Sequence, residues 1–582
     1  MTPPYDTNSL YGPSRPTRRL SDPHPTSTPS RSRGATADLF VLATNRLGYG
    51  PAAGQRSEWD GLGGDDETRY AAYLAQQLNP GSISDTEYQN QRAVGGFQSV
   101  NLSQNMQWRT FLEGGGDSDR PEQEQEMDWF LRAIHSKRQL EVALTNFWLD
   151  HFNVYSREWP TYGTWPSWVD GLRDRALGNF RDLLGFTSEH PAMLYYLDQY
   201  TSEFPRPNEN YLRENFELHT MGAENYVGAT VNQIDVDPWH VVHPSLTTLI
   251  PNYSGGNPAG DLSTVFGHPN GIPAGYVDDD VFAAARAFVG YTFDFGEGTT
   301  DPDAGLFYFD VGRHDLFQHM SVLNFQVTNI DNADLAPDRG PKILDMLAYH
   351  PGTAMHICRK LVRRFVADDP PQSLVESAAH VFMAQRNSPG NDQIKQVLQH
   401  ILESNEFKNS FGQKLKRPFE VAVSMIRATD ANFQFRWNGD RTGDFLGRFG
   451  QTGNRPFRWS APDGYPDYRA NWETAAPRVM TWRLGQWMCA IRDESDNWFM
   501  DVNASTPGSV ARTPEAMATY WIDRLFERAM PTEFVDEVID FLAQGFAPHL
   551  PLDLDPAETT TDEERLQMMM ALLMSTPEFC EK

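Results

Sequence analysis

The stretch 205–222, PRPNENYLRENFELHTMG, decides how this chain is read. Glu209, Glu214, Glu217 and His219, four groups able to move a proton or hold a ligand, crowd into it. Pro205 and Pro207 forbid helix upstream, Asn208 is placed to cap the first free N–H groups, and Gly222 supplies a left-handed stop. Between these limits two faces separate at helical spacing: Leu212, Phe216 and His219 on one, Asn210, Glu214 and Glu217 on the other. Glu209, Arg213 and Glu217 are four apart and read as a salt-bridge ladder, a common structural device on an exposed face. Glu214 and His219 stand outside the structural reading of that ladder and are the better functional candidates.

The same period governs the rest of the chain. It predicts helices near 68–78, over 122–152 as one long or two abutting elements, and at 172–184 and 191–200. Others are expected at 279–289, 340–349, 353–366, 372–385, 392–403, 418–429, 475–491, 514–528 and 559–574. Alternation of period two is confined to short pieces such as 306–311. The expected fold is therefore mainly α, a multi-helix array with long loops and only short strands. At 582 residues two packed helical lobes are expected, a main lobe over 37–410 and a C-terminal lobe over 411–582. Residues 1–36, rich in Pro, Ser, Thr and Arg, lack the apolar side chains that offset ordering and read as a disordered tail. The long irregular stretch 227–275, with His240, His243 and His268, reads as a loop insertion at the mouth of a cleft. ILESNEF (401–407) and LLMSTPEF (572–579) both end a helix with Ser, then Glu-Phe, which reads as capping chemistry.

Composition narrows the function classes. A formal charge of −29 repels nucleic acid and anionic membranes. No apolar run reaches membrane-spanning length. Cys358, Cys489 and Cys580 are scattered and form no C-x-x-C, so neither a zinc knuckle nor a disulfide framework is indicated. Arg18-Arg19 is not followed by the apolar region of an export signal. Aromatic residues make up 12% of the chain, with 15 Trp, a content that fills cores and also lines sugar and polymer grooves.

Further candidates lie outside the central helix. In FWLDHFNV (147–154), His151 shares an apolar stripe with Leu140, Leu144 and Phe147, and Trp148 precedes it; a buried His among aromatics suits a neutral base or a ligand. Asp198 ends the apolar MLYYLDQY (193–200). His314-Asp315 follows a strand-like segment. His350 precedes Pro351, and Arg359, Lys360, Arg363 and Arg364 form a basic cluster on the helix beyond it, placed to hold an anionic group or to neutralise carboxylates.

These blocks, in this order and together with KRPFEVAVSMIRA (416–428) and PDGYPDY (462–468), resemble the bacterial family "domain of unknown function 1800" from about residue 39 to 579. The resemblance implies an all-helical protein, usually exported and often encoded beside a sulfatase-like partner protein; it brings no settled reaction and no known cofactor. It marks Trp148, His151, Asp198, Glu209, Asn210, Arg213, Glu214, Glu217, Gly222, His314, Asp315, His350 and Lys360. The family's usual Trp-His-Asn-His-Phe is here Trp148-Leu149-Asp150-His151-Phe152, so the first His is lost. The 227–275 segment departs from the family's direct run into the next helix.

Three functions fit. The first is a hydrolase-type enzyme on a polysaccharide or similar polymer, with His151, Asp198, Glu214, His314 and Asp315 as acid–base groups and Trp148, Asn210, Arg213, Glu217, His350 and Lys360 holding substrate. The second is a metal-dependent oxidoreductase with a site from His151, Glu214 and His314, although no Glu-x-x-His spacing occurs. The third is a non-enzymatic helical scaffold whose motifs are buried polar networks. On the first two readings His151, Glu214 and His314 should converge.

Overall fold

The computed structural model describes residues 37–115, 117–228, 275–296, 300–314, 321–323, 325–326, 337–388, 390–554 and 560–582. The expected tail, most of the 227–275 insertion and Asp315 lie outside them.

The fold is mainly α. The long pattern over 122–152 resolves into two helices, Arg120–His135 and Gln139–His151, broken at Ser136, whose extended backbone ends the first. Capping chemistry sets many starts: Asp38, Thr513 and Thr560 each accept a hydrogen bond from a backbone N–H three residues on. His190 and His350 do the same from two residues on, each followed by a proline at the first helical position, where no N–H is needed. The two echoed segments are also capped starts. Ser404 Oγ accepts from Phe407 N at 3.1 Å and Thr576 Oγ1 from Phe579 N at 3.3 Å. Ser404→Ala is expected to cost about 1 kcal/mol, read as a lowered denaturation midpoint with no change in helix content.

One hydrophobic core cluster runs from Phe40 to Cys580. Leu140, Leu144 and Phe147 sink into it, as do Trp129, Trp148, Trp165 and Trp168, so much of the aromatic content is structural. Helices from both sides of residue 410 share this core. The Pro418–Thr429 helix packs on Arg120–His135, where Phe130 meets Phe419 with ring centroids 5.0 Å apart. Arg46 ties distant parts of the chain together. Its guanidinium donates to the backbone oxygens of Phe365, Val366, Ser410 and Lys582 at 2.6–2.8 Å. The three cysteines are buried and free.

Strands are short. Tyr291–Phe293 pairs antiparallel with Phe307–Phe309, and Asn432–Phe433, Trp498–Phe499 and Arg492–Asp493 make a three-stranded sheet. Tyr226–Gly228 pairs with Tyr276–Val277, so the chain that leaves the central helix and the chain that returns near residue 275 meet side by side. Among the described residues no helix is long and apolar enough to cross a membrane.

Candidate functional site

The Gln139–His151 helix delivers His151 into a nearly closed setting. It is 1% exposed, stacked on Phe147 and edge-on to Phe152. Nε2 lies 3.0 Å from the carbonyl of His219 and Nδ1 lies 2.8 Å from Lys360 Nζ. A carbonyl only accepts, so Nε2 carries the proton and Nδ1 takes an N–H from the lysine. Burial, then the charge of Lys360, pushes the imidazole well below its ordinary value, so His151 is neutral. Lys360 itself, on the Pro351–Phe365 helix, is pulled down to about 8 by burial and by Arg363. Among the described residues it has no carboxylate within ion-pair distance.

Lys360 and His151 form one wall of a cavity of about 380 Å³ that also takes in Asp463, Asp467, Trp459 and Tyr468. The loop across it is fixed at several points. Asn153 Nδ2 donates to the carbonyls of Trp459 and Ala461, and Tyr196 Oη to that of Ser460. Gly464 has φ of +73°, and a Cβ there would collide with the Asp150 carbonyl. Arg363 sits over the Tyr468 ring at 4.6 Å. Asp467 pairs with Arg364 at 3.2 Å; against burial, Lys414 and Arg364 hold its carboxyl far below the usual range.

Glu214 stands close to this loop. The central helix is α from Asn210 to Glu214 and continues as a π turn, Asn215–His219, with Leu212, Phe216 and His219 buried as their spacing predicts. Asn208 Oδ1 accepts from Asn210 N at 2.9 Å, and Gly222, with φ of +90°, leaves the segment. Burial, then the charges of Glu217 and Asp463, raises Glu214 to about 7. Tyr196 feels Glu158, Glu214 and Asp463 together, and Glu158 feels Asp198. Glu158, Glu214 and Asp463 therefore act together on Tyr196, whose hydroxyl holds the loop at Ser460.

The other sequence candidates divide. Arg213 binds Glu209 at 3.1 Å and Asp278 at 2.9 Å, so the expected ladder turns away to the next helix before reaching Glu217. Asn210 is exposed, with Nδ2 3.5 Å from the Leu197 carbonyl. Asp198 is exposed with φ of +57°, its carbonyl holding Asn208 Nδ2 at 2.8 Å. Trp148 is core: its indole N–H donates to Ala176 O at 3.0 Å. His350 Nδ1 accepts from Gly352 N at 2.9 Å, capping the helix that bears Lys360. His314 does not join His151. Its Nδ1 meets the Val289 carbonyl at 2.5 Å and its Nε2 meets Arg339 at 2.9 Å, which uses both ring nitrogens in a separate network. Among the described residues no group of three or more His, Cys, Asp or Glu side chains is arranged to hold a metal ion.

Some contributors were not singled out from sequence. His356 flanks His151, its ring centroid 6.3 Å away, as does the sequence candidate His219 at 6.1 Å. Glu224 bonds His356 and Arg359, and against burial these hold its carboxyl down to about 2. Glu122, Glu124, Glu126 and Asp128, in the run EQEQEMD, are all buried. Glu126 grips Arg455 at 2.6 and 2.8 Å and Glu122 grips Arg458 at 2.9 Å, which anchors the start of the cavity loop. Carboxylates at every second position of a helical pattern were the available signal, since no single face of the helix takes them all.

No curated protein and no solved structure matches the chain. The family model described as "Protein of unknown function (DUF1800)" matches residues 42–580. That span takes in the central helix, the Lys360 helix and the cavity loop, and the chain belongs to this family.

Proposed function

We propose that the protein is a hydrolase-type enzyme acting on a polysaccharide or similar polymer. The observation that carries this reading is the 2.8 Å bond from Lys360 Nζ to His151 Nδ1 at the wall of the cavity. His151, neutral and fixed by its own N–H to the His219 carbonyl, takes one N–H of the ammonium. Among the described residues the other two N–H groups of Lys360 have no hydrogen-bond partner and are left for substrate. Glu214, raised to about 7, is the general base that takes a proton from water. The water oxygen bonds to the electrophilic carbon of the substrate while the bond from that carbon to the leaving oxygen breaks. Lys360 donates the proton that the leaving oxygen needs, and both groups then exchange protons with solvent. Trp459 and Tyr468 offer aromatic faces of the kind that stack on sugar rings. The sulfatase-like partner that the resemblance implies would serve the same polymer by removing sulfate esters. The metal-dependent reading drew on His314, whose nitrogens are committed to Val289 and Arg339.

The sign of the pH dependence follows. Glu214 must be ionised, so activity rises through about pH 7; Lys360 must be protonated, so it falls through about pH 8. The test is release of chain ends from a panel of neutral and anionic polysaccharides across that range. A bell with limbs near these values, whose acid limb disappears in Glu214→Gln, supports the reading. No release from any polymer, or a profile unchanged in Glu214→Gln, favours a scaffold instead.

A further inference from the structure

A second cavity, of about 440 Å³, opens among the Gln55–Asp60 and Asp66–Gln77 helices and the ends of Arg120–His135 and Pro418–Thr429. Trp59, Leu62, Ile83 and Ile134 give it apolar walls. Arg427, in the last turn of its helix, supplies the one buried cation at its surface among the described residues and is 7% exposed.

Among the described residues the hydrogen-bond partners of the guanidinium are all neutral. Nε donates to Gly50 O at 3.0 Å, Nη1 to Ile134 O at 2.6 Å, and Nη2 reaches Gln55 Oε1 at 3.5 Å, the limit of a hydrogen bond. Five N–H groups therefore meet three acceptors, one of them marginal, and Nη2 keeps donor capacity. Among the described residues no carboxylate lies within ion-pair distance; after burial, the group charged at neutral pH that acts on Arg427 is Arg524, which is of like sign. Burial lowers it to about 10, which leaves it cationic at neutral pH. Arg364 and Arg417, equally buried, have Glu420 and Asp150 as partners. A buried charge is ordinarily paired, because desolvating it alone is costly.

Acidic residues do line the space, but each is placed elsewhere. Glu58 pairs with Lys137 at 2.7 Å, Glu87 accepts from Gln91 at 3.0 Å, and Asp430 is exposed. His135 is pushed down to about 4, chiefly by burial, and is neutral.

We propose that this cavity binds a small organic anion, a carboxylate on an aromatic or branched apolar body. The head lies on Arg427 Nη2 and the body against Trp59, Leu62 and Ile83. The site is separate from the Lys360 cavity and does not depend on the reading given to it.

Calorimetric titration of the full chain with 2-naphthoate and with uncharged 2-naphthamide tests this. The naphthoate is expected to bind at least about tenfold more tightly, the scale of one charge-assisted hydrogen bond. Arg427→Met should remove that preference, and Leu62→Trp, which fills the space, should abolish binding of both. Equal affinities in the unaltered protein, no binding of either probe at millimolar concentration, or a preference that survives Arg427→Met would each overturn the proposal. Should Arg427→Met not fold, Leu62→Trp decides: lost naphthoate binding supports the site and unchanged binding refutes it.

Discussion

Lys360→Met is expected to lower polymer turnover by about 10²–10⁴-fold, the range for loss of a positioned general acid. Methionine keeps the unbranched stem and removes the ammonium. The cost to the fold is an unpaired His151 Nδ1, about 1–3 kcal/mol, so helix content should survive. Lys360→Arg separates proton transfer from mere charge. Arginine stays protonated at every accessible pH, so whatever activity remains should no longer fall through about pH 8, where Lys360 titrates. An alkaline limb that persists in Lys360→Arg would remove Lys360 from the acid role.

Glu420→Ala is expected to destabilise the protein by about 3–5 kcal/mol, the cost of removing one partner from a buried ion pair. Glu420 is 2% exposed. Its carboxylate takes Lys582 Nζ at 2.6 Å, Arg364 at 3.1 Å and the backbone N–H of Arg417 at 2.7 Å. Alanine would strip buried Lys582 of its carboxylate, leave Arg364 with Asp467 alone, and open the first turn of the Pro418–Thr429 helix. Against burial, Lys582, Arg364 and Arg417 hold Glu420 down to about 2, below its ordinary 4.5. A lowered acid contributes stability that is fully present above its unfolded value and is lost as pH falls through the folded one. The unaltered protein should therefore lose stability on acidification from about pH 5 toward pH 2, and Glu420→Ala should lose less over that interval. Equal acid sensitivity in the two would show that other carboxylates set it.

Periodicity made the helices legible, because an apolar face repeats every three to four residues whatever it packs against. It placed His151 and His219 indoors and ended the central helix at Gly222. Partners were another matter. Lys360 lies 209 positions from His151, and nothing local announces their bond. His314 looked like a site residue because it precedes Asp315 in a loop; its ring is spent on Val289 and Arg339. Trp148 and His350 share the site's helices yet serve packing and capping. The PDGYPDY block was recognisable as a motif, but its role as the roof over Lys360 depends on Asn153, Tyr196, Glu122 and Glu126, all of which come from earlier in the chain.

The bond from Arg46 to Lys582 spans 536 residues. A ribosome adds about 5–20 residues per second, so Arg46 waits roughly half a minute to two minutes for that partner to be made. Through that interval the Leu39–Arg46 helix, buried almost throughout in the finished protein, has no complete bed to lie in. The early segment must be kept from other chains until the late one arrives, which makes assembly in the cell a matter of timing and shielding as much as of final stability.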